Sequence, residues 1–122
     1  MTLKGLRVIV IEDEGPIAMM IEDMMQELGC VVVGSAASVA QAQGLVERGG
    51  FDFALLDMNL RGARVEAVAD ALSAGGVPFV FASGYGQACV PANLQGRPVL
   101  AKPFLISDLK LSMLQALQGR PQ

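Results

Sequence analysis

The sequence predicts an α/β domain: a doubly wound, five-stranded parallel sheet in the order 2-1-3-4-5 with helices on both faces. Three observations predict it. Short apolar runs, at 6–11, 30–33, 53–56, 77–82 and 98–101, alternate with stretches of helical spacing. The runs are mostly continuous, as strands covered on both faces require, instead of alternating with polar residues. Connections are short, and no repeat, low-complexity tract or linker divides the 122 residues, which read as a single domain over 1–122. A βα unit taken five times satisfies all three.

The elements follow in order. After the first run, Pro16 stands where a first helical residue is favoured. Ile17, Met20, Ile21, Met24 and Leu28 then recur at helical spacing, and Gly29 stops the helix. Met20 and Met24 are assigned to the core on this stripe, while Met19 and Met25 lie off it. The second helix opens at Ser38 with Gln41 three residues on, a capping-box spacing, and ends by Gly49-Gly50. The third covers about 64–74, before Gly75-Gly76. Between Gly86 and Gly96, Pro91 and Asn93 leave room only for a short helix at 88–94. The last helix starts at Ser107, carries Leu109, Leu111, Met113, Leu114 and Leu117, and fades at Gly119.

Composition narrows the chemistry. Apolar residues make up 52% and charged residues 17%, which suits a packed globule and not a disordered chain. A net charge of −3 offers no basic face for nucleic acid. No apolar stretch approaches the ~18 residues of a membrane span, and the N-terminus lacks a signal-peptide layout, so a cytoplasmic protein is expected. Cys30 and Cys89 lack a C-x-x-C spacing and read as buried thiols. There is no histidine, which excludes Ser-His-Asp and Cys-His chemistry, His-ligated zinc and a self-supplied phosphohistidine.

Charges at the strand ends carry the functional signal. Glu12 and Asp13 follow the first run, Asp57 the third, Ser83 the fourth, and Lys102 the fifth. In open parallel sheets ligands bind at the carboxyl ends of the strands, and strands one and three adjoin at the switch point. Three carboxylates in one crevice repel: two like charges ~4 Å apart cost about 4 kcal/mol at an effective dielectric near 20. A hard cation such as Mg²⁺, which takes oxygen ligands and keeps several waters, relieves that. Asp57 is then the candidate nucleophile toward phosphorus, with Glu12 and Asp13 holding the metal. Lys102 supplies a counter-charge, and the Ser83 hydroxyl can donate to a phosphoryl oxygen. Pro103, directly after the lysine, is a candidate cis-proline at a sharp turn.

At these residues the chain resembles the receiver domain of two-component response regulators, the CheY-like fold. The motifs are the acidic pair Glu12-Asp13, the acceptor Asp57, the hydroxyl residue Ser83 and Lys102-Pro103-Phe104, in family order from about 6 to 117. The resemblance implies Mg²⁺ dependence and phosphorylation of Asp57 by a histidine kinase or histidine phosphotransfer protein. It also implies that the backbone carbonyl of Asn59 joins Glu12, Asp13 and Asp57 at the metal. Asn59, Gly84, Tyr85 and Pro103 would neighbour the phosphoryl group. Kinase docking would use Ile17 and Ala18 and the loop near Phe104, and the output face would run from the fourth helix through the fifth strand. With no output domain expected, the protein would switch a downstream partner or pass phosphate on, by self-catalysed phosphotransfer and not as an enzyme.

Two departures matter. Val99 stands three residues before the lysine, where receivers often carry an aromatic switch. The segment Phe81-Ala82-Ser83-Gly84-Tyr85-Gly86 resembles the F-A-T-G-[G/U]-Y signature of an atypical group of single-domain receivers, with Ser for Thr. Phosphorylation would then draw in the Ser83 hydroxyl and shift the 86–96 segment, with Tyr85 as reporter. Three other readings compete. A dehalogenase-type phosphohydrolase needs an acid where Asn59 stands. A flavodoxin-like cofactor binder would have its phosphate repelled by Glu12-Asp13-Glu14. A pseudo-receiver that binds proteins without being phosphorylated would not need Asp57, Ser83 and Lys102 together.

Overall fold

In the computed structural model, which describes residues 3–60, 63–83, 99–102 and 104–118, the apolar runs form strands, the three inner ones buried on both faces. The strands are β1 (Arg7–Ile11), β2 (Val31–Ala36), β3 (Phe53–Asp57), β6 (Phe79–Ser83) and β7 (Val99–Ala101). They pair in parallel in the order β2-β1-β3-β6-β7, the doubly wound order expected. A small antiparallel pair, β4 (Asn59–Leu60) and β5 (Ala63–Arg64), follows β3 directly. The helices are α1 (Gly15–Glu27), α2 (Val39–Arg48), α3 (Glu66–Ala74) and α4 (Ile106–Gln118).

Alternation along each strand divides the core into two. Val8, Val10, Phe53, Leu55 and Val80 face one side, where α1 and α4 bring Ile21, Met25, Leu109 and Met113. Ile9, Ile11, Ala54, Leu56, Phe79 and Phe81 face the other, with Val68 and Leu72 of α3 and Leu45 of α2. Phe79 and Phe81 meet edge to face, with centroids 5.4 Å apart. At the opposite end of the sheet from the acidic residues, the Arg7 guanidinium donates to both Asp52 oxygens at 3.0 and 3.1 Å, tying the start of β3 to β1.

Several boundaries differ from the sequence expectation, each for a physical reason. β2 runs to Ala36 and not to Val33, because it is an edge strand whose exposed residues break the apolar run. Its register slips between Val8↔Val32 and Ile9↔Gly34, a bulge of the kind that protects sheet edges. Arg64 belongs to β5, and α3 begins two residues later at Glu66. The fourth strand starts at Phe79, after Pro78, which has no N–H to give to a ladder. α4 begins at Ile106, with the Asp108 carboxylate accepting the Leu105 N–H at 3.1 Å. The Ser38 hydroxyl caps α2 by accepting the Gln41 N–H at 3.2 Å, as expected.

The methionine assignment on α1 needs correction. Met25 is fully buried, whereas Met20 is 39% exposed. Ile21 and Met25, one turn apart, form the buried ridge, with Ile17, Met24 and Leu28 packed beside it. Met20 is thereby turned toward the rim. α1 ends as expected at Gly29, at φ +93°, where a Cβ would lie 3.2 Å from the Lys4 Cα. Cys30 is buried and free, and burial raises its thiol pKa. Cys89, the short helix at 88–94 and Gly119 lie outside the described residues.

The ridge makes a prediction for urea denaturation. Met25→Ala should cost about 2–4 kcal/mol, the range for emptying a buried site, while Met20→Ala should stay within about 0.5 kcal/mol. Comparable losses at both positions would contradict the packing.

Candidate functional site

The sheet's own hydrogen bonds place the rim residues. The Glu12 N–H donates to the Ala36 carbonyl at 2.9 Å, so Glu12 continues the β1–β2 ladder one step past the strand. Asp57 is the last residue of β3, opposite Ala82, and is only 4% exposed. Ser83 is the buried last residue of β6, and its carbonyl accepts the Lys102 N–H at 2.9 Å. Backbone pairing alone therefore brings residues from β1, β3, β6 and β7 to one edge.

There the carboxylates of Glu12, Asp13 and Asp57 each offer an oxygen, and these oxygens lie within 4.8 Å of one another. The Lys102 ammonium reaches in from β7, donating to Glu12 Oε1 at 2.7 Å and lying 3.3 Å from Asp57 Oδ1. The other Glu12 oxygen, Oε2, accepts the Glu14 N–H at 3.2 Å, which fixes the start of the loop into α1. Desolvation pulls the Lys102 pKa down. The Glu12 hydrogen bond and the Asp57 and Glu12 charges outweigh it, so the net shift is upward and the lysine stays cationic.

Three carboxylates are gathered here beside one ammonium, a concentration of negative charge that suits a divalent cation. The donors are hard oxygens grouped closely enough to serve one small hard cation. The residues present therefore fit Mg²⁺.

The rim assignments from sequence, Glu12, Asp13, Asp57, Ser83 and Lys102, all reach this edge. The backbone of Asn59 lies in β4, two residues beyond Asp57. Gly84, Tyr85 and Pro103 lie outside the described residues. Val99 pairs with Phe81 in β7 and packs into the second core cluster, so an aliphatic side chain fills the position of the usual aromatic switch. Sequence reasoning missed the Glu12–Lys102 ion pair. The site's apolar border, a recess of about 220 Å³ lined by Ile17, Met20, Lys102 and Phe104, includes Ile17 and Phe104 as named from sequence, whereas Met20 had been assigned to the core.

No family model matches the chain. It is 30% identical over 107 residues to the transcriptional regulatory protein PdtaR of Mycobacterium tuberculosis, a match covering 84% of the chain and 52% of that protein. The chain thus spans about half the length of the curated relatives it matches. Among solved structures, SdrG from Sphingomonas melonis is 41% identical with a TM-score of 0.84, over 96% of this chain and 99% of that one. A second SdrG structure, its BeF3-activated conformation, is 44% identical at a TM-score of 0.77, over 91% and 94%. The receiver domain of the PhyR response regulator from Erythrobacter litoralis is 30% identical at a TM-score of 0.84, over 98% and 95%. The chain belongs to the response-regulator receiver family.

As a receiver it is a signalling domain. Among the described residues, no helix is long and apolar enough to cross a membrane.

The balance of charges predicts opposite effects from two substitutions when divalent cations are removed with EDTA. Asp13→Asn relieves carboxylate repulsion and should raise stability by about 1 kcal/mol, while Lys102→Met takes the ammonium away from two buried carboxylates and should lower it by about 1–3 kcal/mol. Chemical denaturation in EDTA checks both signs.

Proposed function

We propose that Asp57 is the phosphoacceptor of this receiver, taking its phosphoryl group from a phosphohistidine on a histidine kinase or histidine phosphotransfer protein. The observation that carries this is Asp57 itself: a carboxylate 4% exposed at a strand end, grouped with two others and facing a lysine 3.3 Å away. An Asp57 oxygen attacks phosphorus, the P–N bond of the donor breaks, and the imidazole nitrogen leaves with the electron pair. Asp13, Asp57, Glu12 and the Asn59 backbone carbonyl would hold Mg²⁺. When bound, the ion supplies charge neutralisation for the incoming phosphoryl oxygens and for the carboxylates.

The chain's own groups do the rest. Lys102 offers an ammonium to the phosphoryl oxygens, its backbone held beside Ser83 by the bond between β7 and β6. The Ser83 hydroxyl donates to the same oxygens, and because Ser83 ends a buried strand, its response is passed to the chain that follows. Val99 offers no ring to rotate, so the signal leaves through the segment after Ser83, with Tyr85 a candidate reporter. Phosphorylation can shift that segment only through contacts that differ between its two states.

Partner docking fits the border of the site. Ile17, Met20 and Phe104 line it, Ala18 follows Ile17 on α1, and Leu105, next to Phe104, is 68% exposed. A protein donor presenting an apolar helix face would cover these residues while bringing its histidine to Asp57. We place this exchange in the cytoplasm, with a downstream protein as the receiver's target.

Incubation with acetyl phosphate and Mg²⁺, read by intact mass, tests the assignment. Wild type should gain one phosphoryl group and Asp57→Asn none, with the gain abolished by EDTA. A wild type that stays unmodified with acetyl phosphate and with a phosphorylated histidine kinase would make the chain a protein-binding pseudo-receiver. Separately, Asp13→Asn should weaken Mg²⁺ binding by about tenfold or more in an isothermal titration, because it removes one charged ligand from the set.

A further inference from the structure

Core packing does not need Met20. It is 39% exposed, and Ile21 and Met25 form the buried ridge of α1 without it. With Ile17 and Phe104 it walls the recess of about 220 Å³ at the border of the site. Lys102 is the charged member of the described lining. The same lysine lies 3.3 Å from Asp57 Oδ1, so the recess and the acceptor share a wall. At roughly 30 Å³ for each water-sized group, the recess has room for on the order of seven such groups, enough for a short hydrocarbon chain.

From this geometry we propose that the recess is a subsite for the acyl chain of a small phosphoryl donor, so that the receiver takes phosphate from short-chain acyl phosphates and prefers chains longer than acetyl. The proposal rests on Asp57 as the acceptor. Both ends of such a donor find their complement. Its phosphoryl group is anionic and meets the Lys102 ammonium, and its chain is apolar and meets Ile17, Met20 and Phe104. A wholly polar donor would leave the recess to water, and a wholly apolar ligand would have no use for the lysine. In the transfer an Asp57 oxygen attacks phosphorus and the bond from phosphorus to the acyl oxygen breaks. The short-chain carboxylate leaves with the electron pair, and no proton moves. The chain takes no part in this chemistry. Its burial is the same before and during transfer, so it raises the rate at low donor concentration and not at saturation. Methionine suits such a wall, because its unbranched thioether adapts to chains of different length. Met20 is on this account a specificity-determining residue.

Initial rates of phosphorylation, read by intact mass of the full chain with Mg²⁺ and sub-saturating donor, test it. The donors are acetyl, propionyl and butyryl phosphate, with phosphoramidate as a donor that has no chain. Each added methylene should raise the rate by about threefold, and butyryl should exceed acetyl by about tenfold. Met20→Gln keeps the length of the side chain but makes it polar, and there the butyryl-to-acetyl ratio should fall to about threefold or less. A ratio taken within one variant is insensitive to that variant's stability or metal affinity. Equal rates for the three acyl phosphates would overturn the proposal, and so would a preference that Met20→Gln leaves intact. Phosphoramidate separates the two readings: if it modifies wild type while the acyl series is flat, Asp57 stands as acceptor and the subsite falls. If neither these donors nor a phosphorylated histidine kinase modifies wild type, the acceptor fails and the subsite with it.

Binding is read apart from reactivity with ketophosphonate analogues, in which CH₂ replaces the bridging oxygen and no transfer occurs. With Mg²⁺ present, the butyryl analogue should shift the methyl NMR resonance of Met20, and the acetyl analogue should not. A Met20 methyl unmoved by both would overturn the subsite.

Discussion

Crowded negative charge at the carboxyl ends of β1 and β3 is the constraint on which the site depends. The two strands are neighbours, so Glu12, Asp13 and Asp57 are brought within 4.8 Å by backbone pairing and not by attraction. Lys102, crossing from the other side of the sheet, relieves part of the repulsion and leaves the rest for a divalent cation. A site built in this way is stable only as a set of charges. On the function proposed above, a phosphoryl group would enter by changing which positive charge faces which oxygen.

The sheet turns this local exchange into a structural one. Glu12 is held by Ala36 of β2, Met58 just past the acceptor by Ala82 of β6, and Lys102 by Ser83. Each functional side chain thus projects from a backbone that its neighbour strand fixes, over a core closed on both faces. The strands set the distances. Val99, partly buried against the second cluster and paired with Phe81, has no ring to rotate.

Much of this was legible in the sequence, for a simple reason. Strands buried on both faces tolerate no charge, so Glu12 after Ile11, Asp57 after Leu56 and Lys102 after Ala101 mark strand ends directly. Sheet order then groups them. Features that depend on side-chain reach were not legible: nothing in the spacing shows that Lys102 passes β6 and β3 to meet Glu12, because ion pairs across strands have no sequence period. The stripe on α1 was misjudged by about one position, since Ile17, Ile21 and Leu28 fit a ridge through either Met20 or Met25 and only the packing against β1 decides. β4 and β5, at two residues each, are too short to show any alternation.

The central claim is that Asp57, the cation and Lys102 form one phosphoryl-binding unit. Fluorine NMR with beryllofluoride, which mimics a phosphoryl group on a carboxylate, measures it most directly. The account predicts a bound fluorine signal for wild type that requires Mg²⁺, disappears in Asp57→Asn, and is weakened in Lys102→Met. A bound signal that persists in Asp57→Asn, or that forms equally well in EDTA, would contradict it.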